Sequence, residues 1–139
     1  MKLKSRWICC ILILLLLCPG IAASEKSAKS AKEASDVGYR YGSEKNYKAA
    51  IEAYTRAIQL DPKYADAYYG RGSAYWYTGN YEIALKDLNR AIELNQEYWK
   101  YYWMRGYIHK SLEDYDKAIS DYSKARIGQR QSMRRLRRS

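Results

Sequence analysis

A fixed period runs through most of this chain. The clearest copy spans residues 65–98 and reads ADAYYGRGSAYWYTGNYEIALKDLNRAIELNQEY. A shift by the length of this copy, in either direction, places glycine on glycine and alanine on alanine, at Gly38, Gly72 and Gly106 and at Ala50, Ala84 and Ala118. A fixed period of this length indicates supersecondary units stacked in a row, each of which buries its apolar face against its neighbours.

Each copy contains two helical segments separated by a turn. Small and aromatic residues recur every three to four positions, which is the periodicity of a helix face. Asn46, Asn80 and Asp114 directly precede the second segment, where a side-chain oxygen can accept a hydrogen bond from a free backbone amide. Gly79 suits the left-handed conformation that often ends a helix. The sequence therefore predicts an all-α fold, an α-solenoid of three antiparallel helix-turn-helix repeats at residues 31–64, 65–98 and 99–127.

The residues at equivalent repeat positions resemble the tetratricopeptide repeat family. The pattern of that family is Trp-x2-Leu-Gly-x2-Tyr, then Ala-x3-Phe, then Pro. The second copy carries the match most fully, with Tyr68, Gly72, Tyr75, Ala84, Leu88 and Ala91. The terminal proline is retained only as Pro62. The resemblance implies that the two helices of each repeat approach closely at the glycine and alanine positions.

Two other repeat positions predict an ion pair. Position 7 holds Arg71 and Arg105 in the second and third copies, and position 23 holds Asp87 and Asp121 in the same two copies. The first copy has an apolar residue at both positions, so charge is present at both or at neither. We therefore predict that an arginine and an aspartate join the two helices of the second repeat, and again of the third.

Residues 1–23 are predicted to be a signal peptide or a membrane anchor. A basic start is followed by an uncharged apolar run at residues 7–18 and by small residues at 21–23. Because this run is short for a helix that spans a bilayer, we expect cleavage near Ala23 and export to the periplasm or the cell exterior. Retention through residues 7–23 as an anchor is the alternative. Residues 24–30 are predicted to be a polar spacer.

The net charge of +10 is unevenly distributed. Residues 24–123 contain equal numbers of basic and acidic residues, whereas residues 124–139 contain seven basic residues and no acidic one. Gly128 is expected to end the last helix, which leaves residues 128–139 as a basic tail. The tail contains five arginines, Arg130, Arg134, Arg135, Arg137 and Arg138.

Three interpretations of this tail stay open. It could bind anionic membrane headgroups, contact nucleic acid without sequence preference, or form a solvated terminus that aids solubility. Because export favours a membrane surface or an acidic partner, we do not expect nucleic acid to be a partner.

Catalytic and metal-binding motifs are not found in the sequence. The three cysteines, Cys9, Cys10 and Cys18, all precede the predicted cleavage site, so a cleaved chain has no thiolate for catalysis, metal binding or disulfides. His109 is the single histidine, and it falls where the family has a core tyrosine, so we expect a packing role. No phosphate loop or dinucleotide fingerprint is present. The sequence predicts a protein that is not an enzyme and needs no metal or cofactor.

The resemblance also implies a groove for a partner protein. Members of the family bind extended peptides or helices on a concave face, through positions 2, 5, 9, 12 and 13 of the first helices. The residues that we expect to bind a partner are Tyr39, Tyr69, Trp76, Tyr77, Lys100, Trp103, Tyr107 and Lys110. Tyr and Trp dominate binding hot spots because they offer a large contact area at low entropic cost.

The role of the aromatic residues in this groove and the contribution of the first repeat need separate consideration. Several of its aromatic residues could instead pack between neighbouring first helices. Because the first copy has Gly42 and Ser43 at two of the groove positions, contacts are expected to centre on the second and third repeats.

The best-known peptide site of the family clamps the C-terminal carboxylate of cytosolic heat-shock chaperones. Its five positions fall here on Ser35, Tyr39, Gly70, Lys100 and Met104, of which only Lys100 matches. The sequence therefore favours an exported interaction module or scaffold that takes a different peptide or helix. The alternative is a surface adaptor whose arginine-rich tail binds anionic lipid or polymer while the repeats act as a support.

Overall fold

A computed structural model describes residues 30–138 of the chain. The predicted signal peptide and most of the spacer, residues 1–29, lie outside the described residues. Residues 30–138 contain six helices and no strand. In chain order the helices are α1 (Ala31–Ser43), α2 (Tyr47–Leu60), α3 (Ala65–Tyr77), α4 (Tyr81–Leu94), α5 (Trp99–Ser111) and α6 (Tyr115–Leu136).

The helices stack as three hairpins, α1 with α2, α3 with α4, and α5 with α6. Each hairpin packs on the next one, because α2 contacts α3 and α4 contacts α5. The first helices also lie side by side, since α1 contacts α3 and α3 contacts α5. This arrangement confirms the predicted all-α solenoid of three repeats.

Small residues permit the close approach of the two helices in each hairpin. Ala50 and Ala84 are fully buried, and a Cβ built on Gly72 would lie 3.1 Å from the backbone oxygen of Ala84. Gly38 is equally tight, because a Cβ there would lie 2.9 Å from the ring of Tyr54. These positions therefore serve the packing role that the family resemblance implies.

The contact between successive repeats depends on a matched pair of side chains. In the first interface the large side chain is Tyr54, and a Cβ built on the facing Gly70 would overlap the Tyr54 ring. In the second interface Leu88 takes the place of the tyrosine and packs in one buried cluster with Met104, which replaces the glycine. The first interface therefore pairs a large residue with glycine, whereas the second pairs two residues of similar, intermediate size.

Arg71 and Arg105 bind their aspartates as predicted. The Nε and Nη2 atoms of Arg71 donate to the carboxylate of Asp87 at 2.8 and 2.7 Å. The same atoms of Arg105 donate to Asp121 at 2.7 Å each. Both aspartates are buried, and the bidentate hydrogen bonds raise the pKa of each arginine. The predicted ion pairs are confirmed.

Each of these arginines also reaches back to the preceding repeat. Arg71 Nη1 donates to the hydroxyl of Thr55 at 3.2 Å, and Arg105 Nη1 donates to Oδ1 of Asn89 at 2.7 Å. Thr55 and Asn89 occupy the same repeat position, one repeat before their arginine. Each guanidinium therefore joins three helices and fixes one repeat against the next.

The turns inside the repeats agree only partly with the sequence prediction. Asn46 and Asp114 accept from the backbone amides of Ala49 and Lys117, as N-caps do. The predicted cap at Asn80 is wrong, because its Nδ2 donates to the hydroxyl of Thr78 at 2.9 Å and no side-chain cap forms. The left-handed conformation predicted at Gly79 is confirmed, with a φ of 78°. The other two repeats adopt the same conformation at Lys45 and Glu113.

The last helix is longer than the sequence predicted. We expected Gly128 to end it, but α6 continues through Gly128 to Leu136. The absence of a side chain at Gly128 lets α6 pass close to α5, because a Cβ there would lie 3.0 Å from the Cβ of Trp99. Arg135 then pairs with Glu97 at 3.1 Å. Most of the predicted tail is therefore part of a helix.

No helix within residues 30–138 combines the length and the apolar character that crossing a bilayer requires.

Candidate binding cleft

The first helices of the three repeats line a concave cleft of about 800 Å³. Seven of the eight residues predicted to bind a partner lie in its lining: Tyr39, Tyr69, Trp76, Tyr77, Lys100, Trp103 and Tyr107. Lys110 is exposed but does not line the cleft. It occupies the same repeat position as Trp76, yet no further first helix follows α5 in the described residues to form an opposite wall.

Five aromatic rings form a continuous series of contacts across the cleft, which we call the aromatic ladder. It begins with Tyr47 stacked on Tyr77, with ring centroids 4.6 Å apart. Tyr77 contacts Trp76 at 4.4 Å, and Trp76 meets Tyr107 edge to face at 5.2 Å. Tyr107 and Trp103 complete the ladder at 5.8 Å. These geometries are the offset and edge-to-face arrangements that aromatic pairs prefer.

The sequence left open whether these rings line a groove or pack between neighbouring first helices, and the ladder contains rings of both kinds. Trp76 and Tyr107 are partly buried between α3 and α5, so they do pack between neighbouring first helices. Tyr77 and Trp103 nevertheless remain 58% and 46% exposed inside the cleft. The packed rings hold the exposed rings in place.

The opposite end of the cleft, at the start of the first helices, is polar. The hydroxyl of Tyr101 donates to the carboxylate of Asp66 at 2.6 Å, and Tyr101 also contacts the rings of Tyr69 and Tyr98. The ammonium of Lys100 lies 5.6 Å from the ring centroid of Tyr98, and hydrogen bonding to Tyr98 raises the pKa of Lys100. Burial raises the pKa of Tyr69 and of Tyr101, so both phenols stay neutral.

The lining extends further into the first repeat than we expected. Ser35, Asp36, Tyr39 and Tyr47 all line the cleft, and Tyr39 is 72% exposed. Tyr47 belongs to a second helix, so the pattern of first-helix positions does not find it. Where a partner makes its contacts stays a prediction, but the surface offered to it covers all three repeats.

Two of the five clamp positions take part in packing between repeats. Gly70 faces the ring of Tyr54, so a side chain there requires the ring to move. Met104 is 6% exposed and belongs to a buried cluster with Leu88 and Ile108. The carboxylate clamp is therefore absent from these positions for a structural reason as well as a sequence reason.

A second surface lies on α6, and we call it the arginine face. Arg126, Arg130, Met133, Arg134 and Arg137 border a shallow groove of about 320 Å³ along this helix. Three of the five predicted tail arginines belong to it, Arg130, Arg134 and Arg137. Arg135 points elsewhere and pairs with Glu97, and Arg138 does not border the groove.

His109 is partly buried, and burial lowers its pKa. Its position agrees with the packing role expected from the sequence. Among residues 30–138 no group of three His, Cys, Asp or Glu side chains is arranged to hold a metal ion.

Comparison with protein families identifies the repeats. A TPR repeat model matches residues 38–79, and two tetratricopeptide repeat models match residues 65–98 and 100–125. The chain belongs to the tetratricopeptide repeat (TPR) family. Comparison with curated protein sequences gives no match.

Solved TPR structures are similar to this chain. The crystal structure of MamA superposes with a TM-score of 0.71 and 27% identity, over 76% of this chain and 61% of MamA. The second TPR of Spaghetti (RPAP3), bound to an HSP90 peptide, gives a TM-score of 0.69 and 30% identity, over 76% of this chain and 97% of that one. The TPR2B domain of yeast Sti1, in complex with pHsp70, superposes with a TM-score of 0.69 and 26% identity, over 70% of this chain and 78% of that one. These similarities support a protein-interaction module.

Proposed function

We propose that the cleft holds an extended segment or a helix of a partner protein, so that the chain acts as an interaction module or scaffold. The observation that carries this proposal is the aromatic ladder, which leaves Tyr77 and Trp103 half exposed within a concave surface. Exposed aromatic side chains held in a cleft by rigid neighbours are the usual anchors of binding hot spots. We expect no enzymatic activity, as is general for modules of this family.

The partner of this TPR protein differs in kind from the chaperone peptides of its structural relatives. Spaghetti and Sti1 are described with HSP90 and Hsp70 ligands. Here the clamp positions Gly70 and Met104 are occupied by packing contacts, and the exposed rings of Tyr39, Tyr77 and Trp103 line the cleft. We therefore expect an apolar or aromatic segment to be selected, with a minor contribution from Lys100 and Asp66 at the polar end.

A peptide-display selection tests this proposal. The intact chain would be the bait, and a Trp76→Ala/Trp103→Ala variant would be the counter-bait. Tyr115→Ala/Leu112→Ala serves as the matched control, because both residues are large, exposed and outside the cleft. We expect selected peptides to bind the intact chain and the control, and to lose at least about tenfold in affinity on the tryptophan variant.

The salt dependence of the selected complex adds a second criterion. Apolar contacts in the cleft should retain binding at about 0.5 M salt, where surface charge interactions are screened. Full binding by the tryptophan double variant would refute the cleft as the site.

We further propose that the protein is exported, to the periplasm or as a secreted protein, after cleavage near Ala23. Retention as a membrane-anchored protein through residues 7–23 is the alternative proposal. The basic start and the apolar run in the sequence support both. Determination of the N-terminal residue of the mature protein by mass spectrometry distinguishes them, because cleavage removes the apolar run and anchoring retains it.

A second candidate function is that of an adaptor whose basic C-terminus binds an anionic lipid or polymer while the repeats support it. The arginine face favours this candidate, because its basic residues are aligned on one helix and lie outside the cleft. In contrast to cleft binding, such binding should weaken steeply as salt is added.

A further inference from the structure

One side of α6 presents a regular exposed surface that is unrelated to the cleft. Exposed residues recur there at alternating spacings of four and three, which places them along one side of the helix. They are Ile119, Ser123, Arg126, Arg130, Met133 and Arg137. The buried residues Ala118, Asp121 and Ala125 lie on a different side of the first half of α6, whereas residues 129–138 are all exposed.

The positive charge of this surface is uncompensated. Residues 124–139 contain seven basic residues and no acidic one. Among residues 30–138, one ion pair is seen near the end of α6, between Arg135 and Glu97. Arg135 lies on a different side of α6 from the arginine face. The four guanidinium groups of the arginine face show no ion pair with the described residues, so they are free to meet an anionic surface.

Apolar side chains alternate with these arginines. Ile119 and Met133 on this side of α6 are 64% and 54% exposed, and Ile127 next to it is 57% exposed, although each is large enough to benefit from burial. An anionic polymer in water would satisfy the arginines and leave these side chains exposed. The surface of a bilayer accommodates both, because guanidinium groups reach the headgroups while apolar side chains enter the boundary with the acyl chains.

We propose that this face of α6 docks on a membrane surface that carries anionic lipids. The inference rests on the second candidate function and specifies its ligand, its residues and its orientation. No residue that borders the arginine face also lines the cleft. The protein can therefore dock on a membrane and hold a partner in the cleft at the same time.

Vesicle co-sedimentation of the full chain tests the proposal. One set of vesicles contains phosphatidylcholine alone, and the other contains an equal mixture of phosphatidylcholine and phosphatidylglycerol. Residues 1–29 are present in every sample, so the difference between the two vesicle types isolates the contribution of charge. The test variant changes the four arginines together, Arg126→Gln, Arg130→Gln, Arg134→Gln and Arg137→Gln.

The matched control removes the same charge from exposed positions on other helices and loops. It combines Arg40→Gln, Arg56→Gln, Lys63→Gln and Lys86→Gln, all at exposed residues. Each arginine removed from the face should lower partitioning to anionic vesicles about fivefold, so the test variant should lose about a hundredfold or more. The control should retain most of the binding, and neither variant should change binding to neutral vesicles.

Equal binding of the test variant and the intact chain to anionic vesicles overturns the proposal, as does an equal loss in the control. Polyphosphate as a competing probe separates lipid from polymer. If Ile127→Ser/Met133→Ser binds vesicles as well as the intact chain does and polyphosphate displaces both from the vesicles, the apolar contacts have no role and docking on a bilayer is overturned in favour of an anionic polymer. The Trp76→Ala/Trp103→Ala variant should keep full vesicle binding, so a failure of the cleft proposal and a failure of this one give different results.

Discussion

Gly70 is the position where the contact between the first two repeats is most sensitive to added volume. A Cβ there would overlap the ring of Tyr54, which is only 7% exposed and packs in the buried cluster between these repeats, so the ring must leave its packed position. Overpacking of this kind costs about 1–3 kcal/mol. Replacement of glycine by alanine inside a helix contributes about 0.5–1 kcal/mol in the opposite direction. We expect Gly70→Ala to lower the free energy of unfolding by about 1–2 kcal/mol.

Gly42 provides the matched control, because it also lies in a first helix but a Cβ there would meet no atom within 4 Å. Gly42→Ala should therefore raise the free energy of unfolding by about 0.5 kcal/mol, through helix propensity alone. Urea titration followed by circular dichroism measures both changes. In a domain of this size 1 kcal/mol corresponds to a shift of about 4–8 °C in Tm.

A second substitution tests whether Tyr54 is the cause of the loss. Tyr54→Leu/Gly70→Met transfers the side chains of the second interface, Leu88 and Met104, to the first. The double variant should be more stable than the sum of its single changes by about 1 kcal/mol or more, because the partners contact each other. This account of the interface would be refuted if Gly70→Ala were as stable as the unmodified chain. It would also be refuted if Gly70→Ala cost as much stability in a Tyr54→Leu background as it does in the unmodified chain.

Three further outcomes are expected. Lys45→Gly and Glu113→Gly should each stabilise the fold by about 1 kcal/mol in urea titration, because both residues adopt a left-handed φ that favours glycine; no gain at either site would contradict this. Arg105→Ala should cost about 3 kcal/mol or more, since it leaves the buried carboxylate of Asp121 unpaired, and a loss below about 1 kcal/mol would show that the pair is effectively solvated. Burial raises the pKa of Tyr54 to about 12 from an ordinary value of 10.0. Its neutral form is therefore favoured by folding, and up to about 3 kcal/mol of stability should be present below pH 10 and lost as the pH rises to 12. Urea titrations at several pH values should show a smaller loss in Tyr54→Phe, and an unchanged loss would assign the effect to other groups.

Much of the fold and part of the cleft were predictable because they depend on short-range relations that repeat. The repeat period placed the helices, and the joint presence of charge at positions 7 and 23 identified the pairs of Arg71 and Arg105. The first-helix positions of the family likewise identified seven residues that line the cleft, including Trp76 and Trp103. Each of these predictions needs only the geometry of one hairpin, which recurs whenever the pattern recurs.

Apart from the cap at Asn80, the features that the sequence did not predict depend on contacts between repeats or at the end of the solenoid. Lys110 has the correct repeat position but no neighbouring first helix beyond it in the described part of the chain, so it lies outside the cleft. Gly128 was expected to end a helix, but α6 continues through it. The glycine instead leaves room for α6 to pass close to Trp99. Thr55 and Asn89 receive a hydrogen bond from an arginine of the next repeat, a contact that no single hairpin contains.

The amino-acid sequence by itself determined the number of repeats, the pairing of helices within each one and the aromatic character of the cleft. Only the tertiary structure decided how the rings of Tyr47, Tyr77 and Trp76 join into one ladder, and which arginines of α6 share a face. The physical reason is that helix periodicity and capping act over a few residues along the chain. The stacking of one repeat on the next is set by side chains far apart in sequence, such as Tyr54 and Gly70, whose fit appears only when the helices are packed.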